Sequence, residues 1–240
     1  MIFYFSATGN SKYIAEKIGK ELNEEVCSIL EYDDKCIEDS IVGIITPTYF
    51  WGLPIIVSEF LDRLVLKDNQ YIFLITTYGT TTGQIGKFVE EKIKLNAKYS
   101  VKMPDSWTPM FDLTDKQRIS QINKKAEIQM NEIINNIKKR KEGDFMKNKI
   151  PMILSRIYYK TYEIQRKTKY FTLEDSCNGC GICVKQCPIK AIEIRKGKAV
   201  WIKDKCVMCL GCLHHCPRFS IQYGKNTKKH GQYLNPNIKI

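Results

Sequence analysis

Ile2-Phe3-Tyr4-Phe5-Ser6-Ala7-Thr8-Gly9-Asn10-Ser11 runs from an unbroken apolar segment into a turn of hydroxyls and glycine. Ile2–Phe5 reads as a strand buried on both faces, because a strand with one wet face would alternate. Ile14, Ala15, Ile18 and Leu22 then fall on one face of a helix over Ser11–Leu22. A strand that turns directly into a helix presents free N–H groups and the positive end of the helix dipole, which together form an anion site. Ser6, Thr8 and Ser11 add neutral hydroxyl donors suited to a phosphate. The turn contains neither a dinucleotide fingerprint nor a Walker loop. A capped helix after a strand looks similar, so the turn alone does not decide its role.

The same alternation continues outward. Glu25–Leu30, Ile41–Ile45, Tyr71–Ile75 and Lys98–Met103 read as further strands. Pro54–Leu66, Ile85–Leu95 and Thr114–Arg140 read as helices, the last with Ile119, Ile122, Ala126, Met130, Ile133, Ile134 and Ile137 on its apolar stripe. Only about ten residues around Glu31–Ser40 join the second and third strands, so that crossover helix is expected to shrink to a single turn. Alternation of this kind predicts an α/β fold over residues 1–142, a doubly wound five-stranded parallel sheet. Ligands of such sheets bind at the carboxyl ends of the strands. Thr46-Pro47-Thr48-Tyr49-Phe50-Trp51-Gly52-Leu53-Pro54 and Thr76-Thr77-Tyr78-Gly79-Thr80-Thr81-Thr82-Gly83 are therefore expected to meet the Ser6–Ser11 turn. Three successive aromatics between two prolines cannot all point into a core, so at least one is expected to meet a ligand.

Of the ten cysteines, Cys27 and Cys36 stand alone and read as inert thiols; the rest lie between Cys177 and Cys216. Cys177-Asn-Gly-Cys180-Gly-Ile-Cys183-Val-Lys-Gln-Cys187-Pro188 repeats as Cys206-Val-Met-Cys209-Leu-Gly-Cys212-Leu-His-His-Cys216-Pro217. Close-set cysteines in a chain without an export leader argue for metal ligation over disulfides. Four thiolates also suit zinc, but zinc sites use two separated Cys-x2-Cys knuckles rather than four cysteines ending in Cys-Pro, twice over. Gly179, Gly181 and Gly211 let the backbone approach the metal closely. His214 and His215 are not needed as ligands and read as surface or supporting residues.

The duplicated motif resembles the two-cluster bacterial ferredoxins over Thr172–Tyr223. The resemblance implies a small C-terminal α+β domain of two hairpins and two short helices. It implies one 4Fe–4S cluster on Cys177, Cys180, Cys183 and Cys216, and a second on Cys206, Cys209, Cys212 and Cys187. The three N-terminal loops resemble those of flavodoxins and related flavin reductases over Met1–Arg140. Carried over, Ser6, Ala7, Thr8, Gly9, Asn10 and Ser11 would hold an FMN phosphate. Pro47, Thr48, Tyr49, Phe50, Trp51 and Gly52 would form the second flavin loop, with Tyr49, Phe50 or Trp51 stacking on the ring. Thr77, Tyr78, Gly79 and Gly83 would form the third. Backbone groups near Thr48, Gly79 and Gly83 would bond the ring, and Tyr78 is a further stacking candidate. The whole arrangement is similar to flavodoxin–ferredoxin fusion proteins of anaerobes. Flavodoxins are strongly acidic and this domain is not, which leaves its partner class open.

Residues 143–171 form a helical connector, and 224–240 a basic C-terminal tail expected to be a loosely packed arm. The basic, aromatic stretch Ile150–Tyr170 reads as a helix packing the two domains together, with a membrane-surface helix as the alternative. The formal charge is +12 and the pI 9.1. Two clusters and one FMN would bring the charge to about +6. The lysines are spread along the chain and no nucleic-acid module is present, so no nucleic-acid partner is expected. A mildly basic surface suits an acidic redox protein. No apolar run approaches the roughly 20 residues of a membrane span, and no leader is legible, so a cytoplasmic location is expected. Three functions follow from these motifs: an electron relay between clusters and FMN, a flavin-dependent reductase of a small molecule such as a quinone or nicotinamide, and a zinc-stabilised binding module.

Overall fold

The computed structural model describes residues 1–33 and 35–238. The first half runs β1 (Ile2–Tyr4), α1 (Asn10–Leu22), β2 (Val26–Ser28), β3 (Ile41–Pro47), α2 (Ile55–Arg63), β4 (Tyr71–Tyr78), α3 (Ile85–Glu90), β5 (Ala97–Lys102), α4 (Lys116–Lys138) and β6 (Gly143–Asp144). These strands form one sheet, in the order β2-β1-β3-β4-β5-β6, with every pairing parallel. After β2 the chain crosses back over β1, so the order reverses between β1 and β3. The loops after those two strands diverge there and leave a crevice.

Each face of the sheet has its own core. Ile14 and Ile18 of α1 and Met130, Ile134 and Ile137 of α4 pack on Phe73, Ile75 and Tyr99. Phe60 and Leu61 of α2 and Val89 of α3 pack on Phe3, Ile44 and Leu74 from the opposite side. All eight residues of β4 are buried, as a central parallel strand requires.

Three details differ from expectation. Arg140 takes a left-handed φ of 46° beyond α4, and the chain turns back so that Gly143 and Asp144 extend the sheet to six strands alongside Ala97 and Lys98. The N-terminal unit therefore runs past residue 142. Lys147 N–H donates to Ser100 Oγ at 3.0 Å, and Ile150 N–H to the Gly83 carbonyl at 3.2 Å. The β2–β3 crossover has no helix among its described residues; Asp34 lies outside them. Gln70 stands in for helical bonding there, since its Nε2 donates to the carbonyls of Ile37 and Asp39 at 2.8 Å each.

The second half contains α5 (Met152–Gln165), a 3₁₀ turn at Thr168–Tyr170, β7 (Phe171–Leu173), α6 (Ile182–Lys185), β8 (Ile192–Arg195), β9 (Lys198–Trp201), α7 (Gly211–His214), β10 (Ile221–Tyr223) and α8 (Thr227–His230). β7 pairs antiparallel with β10, and β8 with β9. α5 is the strut between the halves. The Tyr159 hydroxyl donates to the Leu53 carbonyl on one side. Tyr162 donates to the Val207 carbonyl, and Arg166 Nε to the Cys206 carbonyl, each at 2.7 Å, on the other. The tail is not a loose arm as far as residue 238. Tyr233 is 5% exposed and Asn235 2%, both bonded to the first α/β turn. Its polarity, which suggested an unpacked segment, serves hydrogen bonds to the Ser6–Ser11 loop instead.

Candidate functional site

The carboxyl ends of β1, β3, β4 and β5 open on a cavity of about 420 Å³, a volume in the range of small-molecule sites. Ser6, Ala7, Thr8, Asn10, Ser11, Pro47, Thr48, Tyr49, Phe50, Trp51, Thr77, Tyr78 and Gly79 all line it. The three loops are knitted by hydroxyl pairs. Ser11 Oγ lies 3.0 Å from Thr77 Oγ1, and Thr48 Oγ1 lies 2.7 Å from Thr76 Oγ1.

The first turn is held from outside by the C-terminal half. His215 Nε2 donates to the Ala7 carbonyl at 3.0 Å, and Asn235 N–H to the Thr8 carbonyl at 2.8 Å. Tyr233 Oη and Asn235 Nδ2 both donate to Asn10 Oδ1. Carbonyl oxygens would repel an anion, and here those of Ala7 and Thr8 already have donors. Gly9, at φ 91°, is the residue from which α1 starts, its left-handed cap. His214 does the same for the next loop: Nε2 donates to the Ser106 carbonyl at 2.9 Å, and Nδ1 accepts from Tyr233 N–H. Burial lowers His214 to about 4, so it stays neutral. The two histidines are therefore interdomain ties and not surface residues.

Phe50 and Trp51 sit in a tight turn closed by mutual bonds between Tyr49 and Gly52, with φ of 49° and 64°. Left-handed backbone at two bulky residues costs roughly 1–2 kcal/mol each, a strain that tends to collect at functional sites. Phe50 stacks on Tyr162 with ring centres 5.2 Å apart, and Trp51 meets Tyr158 at 4.2 Å. Tyr78 is buried, with its hydroxyl accepting from Asn148. Gly9, Gly52 and Gly83 do not line the cavity. The Gly83 N–H donates to Thr81 Oγ1 and its carbonyl accepts from Ile150. Its role is close approach, with its Cα against the Trp51 backbone.

Residues without a sequence signal complete the lining: Asp105, Trp107, Met110, Phe111, Tyr158, Met208 and Leu210, together with the cluster-motif Cys209. They come from the loop after β5, from α5 and from the second cysteine motif. Pro104-Asp105-Ser106-Trp107 follows a strand, and that position was the one available hint.

The cysteines separate into two sets. Cys177, Cys180, Cys183 and Cys216 enclose one small cavity. Cys206, Cys209 and Cys212 lie together beside Cys187: burial first, and then the neighbouring thiols, push all three up. Among the described residues no three His, Cys, Asp or Glu side chains converge on a single metal ion. Neither set thus has the closed arrangement of a structural zinc site, and the first surrounds a space, as a cubane requires. Ala191 N–H donates to Cys187 Sγ at 3.1 Å, and Ser220 N–H to Cys216 Sγ at 3.3 Å, the same bond in each half of the repeat.

The two copies carry different residues at two shared left-handed positions. Gly179 and Gly181 take φ of 68° and 79°, and their counterparts Met208 and Leu210 take 53° and 55°. The second motif accepts left-handed strain to place two apolar side chains between its thiols and the cavity. Gly211 is helical, beginning α7, and its Cα faces Cys209 Sγ and Ala7.

The fold and this pair of sites define a flavodoxin domain joined to a ferredoxin-like iron–sulfur domain. The family description "Flavodoxin domain" matches residues 1–132, and "4Fe-4S dicluster domain" matches residues 169–217. The chain belongs to the flavodoxin family and is an iron–sulfur flavoprotein of electron transfer. No curated protein matches it. Among solved structures it is similar to rubredoxin oxygen:oxidoreductase from the anaerobe Desulfovibrio gigas, at 15% identity over 57% of this chain and 36% of that one, with a TM-score of 0.36. This chain thus spans little more than a third of that protein. It is also similar to the Trp repressor binding protein of Bacillus subtilis, at 15% identity over 54% of this chain and 97% of that one, with a TM-score of 0.34. No helix among the described residues is long and apolar enough to cross a membrane.

Proposed function

We propose that the protein relays electrons between two 4Fe–4S clusters and one FMN. Cys177, Cys180, Cys183 and Cys216 hold the outer cluster, and Cys187, Cys206, Cys209 and Cys212 the inner one. One observation carries the order: Met208, Cys209 and Leu210 line the same cavity as the three flavodoxin loops, so the inner set abuts the flavin site. Cys180, of the outer set, is exposed and suits the port for a redox partner. The basic surface favours an acidic one. When bound, FMN stores one or two electrons where a cluster passes one. The chain's residues do the rest. The turn at Ser6–Ser11 takes the phosphate on N–H groups and hydroxyls. Trp51 and Tyr158 border the ring space, and Met208 and Leu210 keep water from the gap between thiols and ring.

An anaerobic redox titration with iron, sulfide and flavin assays tests this. About eight irons and one FMN per chain are expected; about four irons would remove one cluster. Ser6→Ala and Thr8→Val are expected to weaken FMN binding about tenfold each, as loss of a hydrogen bond to a charged group does. Iron content should stay unchanged.

A reductase of a small molecule is the second reading. It is favoured by Trp107, Met110 and Phe111, which extend the cavity beyond the flavodoxin loops, and by the 63% exposure of Met110 at its edge. Steady turnover of a quinone or nicotinamide by the purified protein would place this reading first.

A further inference from the structure

Asp105 is the only charged side chain lining the cavity among the described residues; no lysine, arginine or glutamate joins it. Its Oδ1 accepts from Trp107 N–H at 3.0 Å, and its Oδ2 accepts no bond among the described residues. The carboxyl is wedged against the third flavin loop, since a Cβ on Gly79 would lie 2.1 Å from Oδ2. Gly79 is thus bare where Asp105 needs the room. The loop holding Asp105 is anchored on its far side by His214, through the Ser106 carbonyl. The titratable groups that share the cavity lining with it are Tyr158 of α5, whose proton burial and then Asp105 make harder to lose, Tyr49 after β3, Tyr78 of β4, and Cys209 of the inner set. None is a cation, so the Trp107 N–H is the one donor that offsets a charge on the carboxylate among the described residues, and burial outweighs it.

We propose that Asp105 is the proton-holding group of the flavin cavity, giving up its proton as the flavin is reduced and thereby coupling electron arrival to proton uptake. This rests on the flavin reading above. With FMN bound, two electrons arriving singly would be matched by the Asp105 proton passing to the ring, and a proton from solvent would restore the carboxyl. Burial pushes the Asp105 carboxyl up to about 6, where a proton can be both held and released near neutral pH. Below that pH the carboxyl is neutral; above it a carboxylate faces the ring. An anionic reduced ring beside a carboxylate is disfavoured, so reduction above that pH draws an extra proton onto Asp105.

The test is the equilibrium reduction of the bound flavin in the holoprotein, measured by anaerobic titration from pH 5 to 8, for the wild type and Asp105→Asn. The wild-type potential is expected to fall more steeply with pH above about 6. Asp105→Asn should lose that change of slope. At pH 8 its flavin should be easier to reduce, by about tenfold for each unit that ring and carboxylate shift one another. At pH 5, where both side chains are neutral, the two proteins should agree. Superimposable profiles with flavin fully bound would overturn the role of Asp105 and leave the flavin site standing. A wild-type profile of constant slope would overturn it without any variant. A wild type that binds iron and sulfide but no flavin would overturn the underlying reading, and this proposal with it.

Discussion

Cys209→Ala is expected to lower the iron content from about eight to about four per chain and to stop the reduced outer cluster from reducing the flavin. Cys209 lies close to Cys206 and Cys187, and of the inner set it is the one that lines the flavin cavity. A cubane deprived of one thiolate has an open iron beside the Ala7 turn, and burial gives it no replacement ligand. The outer set shares no cysteine with the inner one and should assemble. Its electrons would then have to cross the space the inner cluster occupied. Iron and sulfide assays report the first effect, and the rate of flavin bleaching after addition of a one-electron donor reports the second. Full iron content with unaltered bleaching would end the relay as proposed. Cys180→Ala, at the exposed outer set, should also halve the iron, yet leave the inner cluster and flavin in contact.

The second large effect is structural and falls on the flavin loop. Gly83→Ala places a Cβ 2.1 Å from the Trp51 carbonyl oxygen and 2.4 Å from its Cα, at a φ of 56°. Backbone cannot step aside as a side-chain tip would. The substitution therefore adds a steric clash to the conformational strain of about 1–3 kcal/mol. A total loss of about 2–4 kcal/mol is expected, with a fall of roughly 5–10 °C in the melting temperature of the holoprotein. The relief available is a shift of the Phe50–Trp51 turn, so FMN affinity should drop alongside stability. Gly224→Ala is the matched control. Its φ is 66° but no atom lies within 4 Å of the added Cβ, so only the conformational cost remains. Equal losses at the two sites would show that contact with Trp51 contributes nothing.

Much of this site was legible before any coordinates. The Ser6–Ser11 turn is a local object, since a strand, a hydroxyl-rich bend and a helix start follow one another within ten residues wherever the rest of the chain goes. The aromatic loop was legible as lining a cavity because three successive large rings could not all be buried. Its turn type was not, because left-handed Phe50 and Trp51 contradict their own propensities and are held by contacts to α5. Gly83 shows a related limit. A glycine in a loop signals a close approach, but the sequence does not say to what, and here the partner is the Trp51 backbone.

The histidines show the limit most clearly. Beside eight cysteines they were superfluous as ligands and so read as supporting residues. Their carbonyl partners at Ala7 and Ser106 lie more than a hundred positions away. The polar tail was misread for the same cause: Tyr233 and Asn235 have no local reason to be ordered, and their partner is Asn10.

Sequence alone determined the parallel α/β layout and the two thiolate motifs, because buried-strand runs, helical stripes and ligand intervals of three residues are properties of short stretches of chain. Tertiary structure alone decided that the second motif is the one beside the flavin cavity, that α5 and the C-terminal tail tie it there, and that a lone carboxylate, Asp105, faces the space between. Those are meetings of segments far apart in the chain, made by packing α5 against both halves, and no periodicity records them.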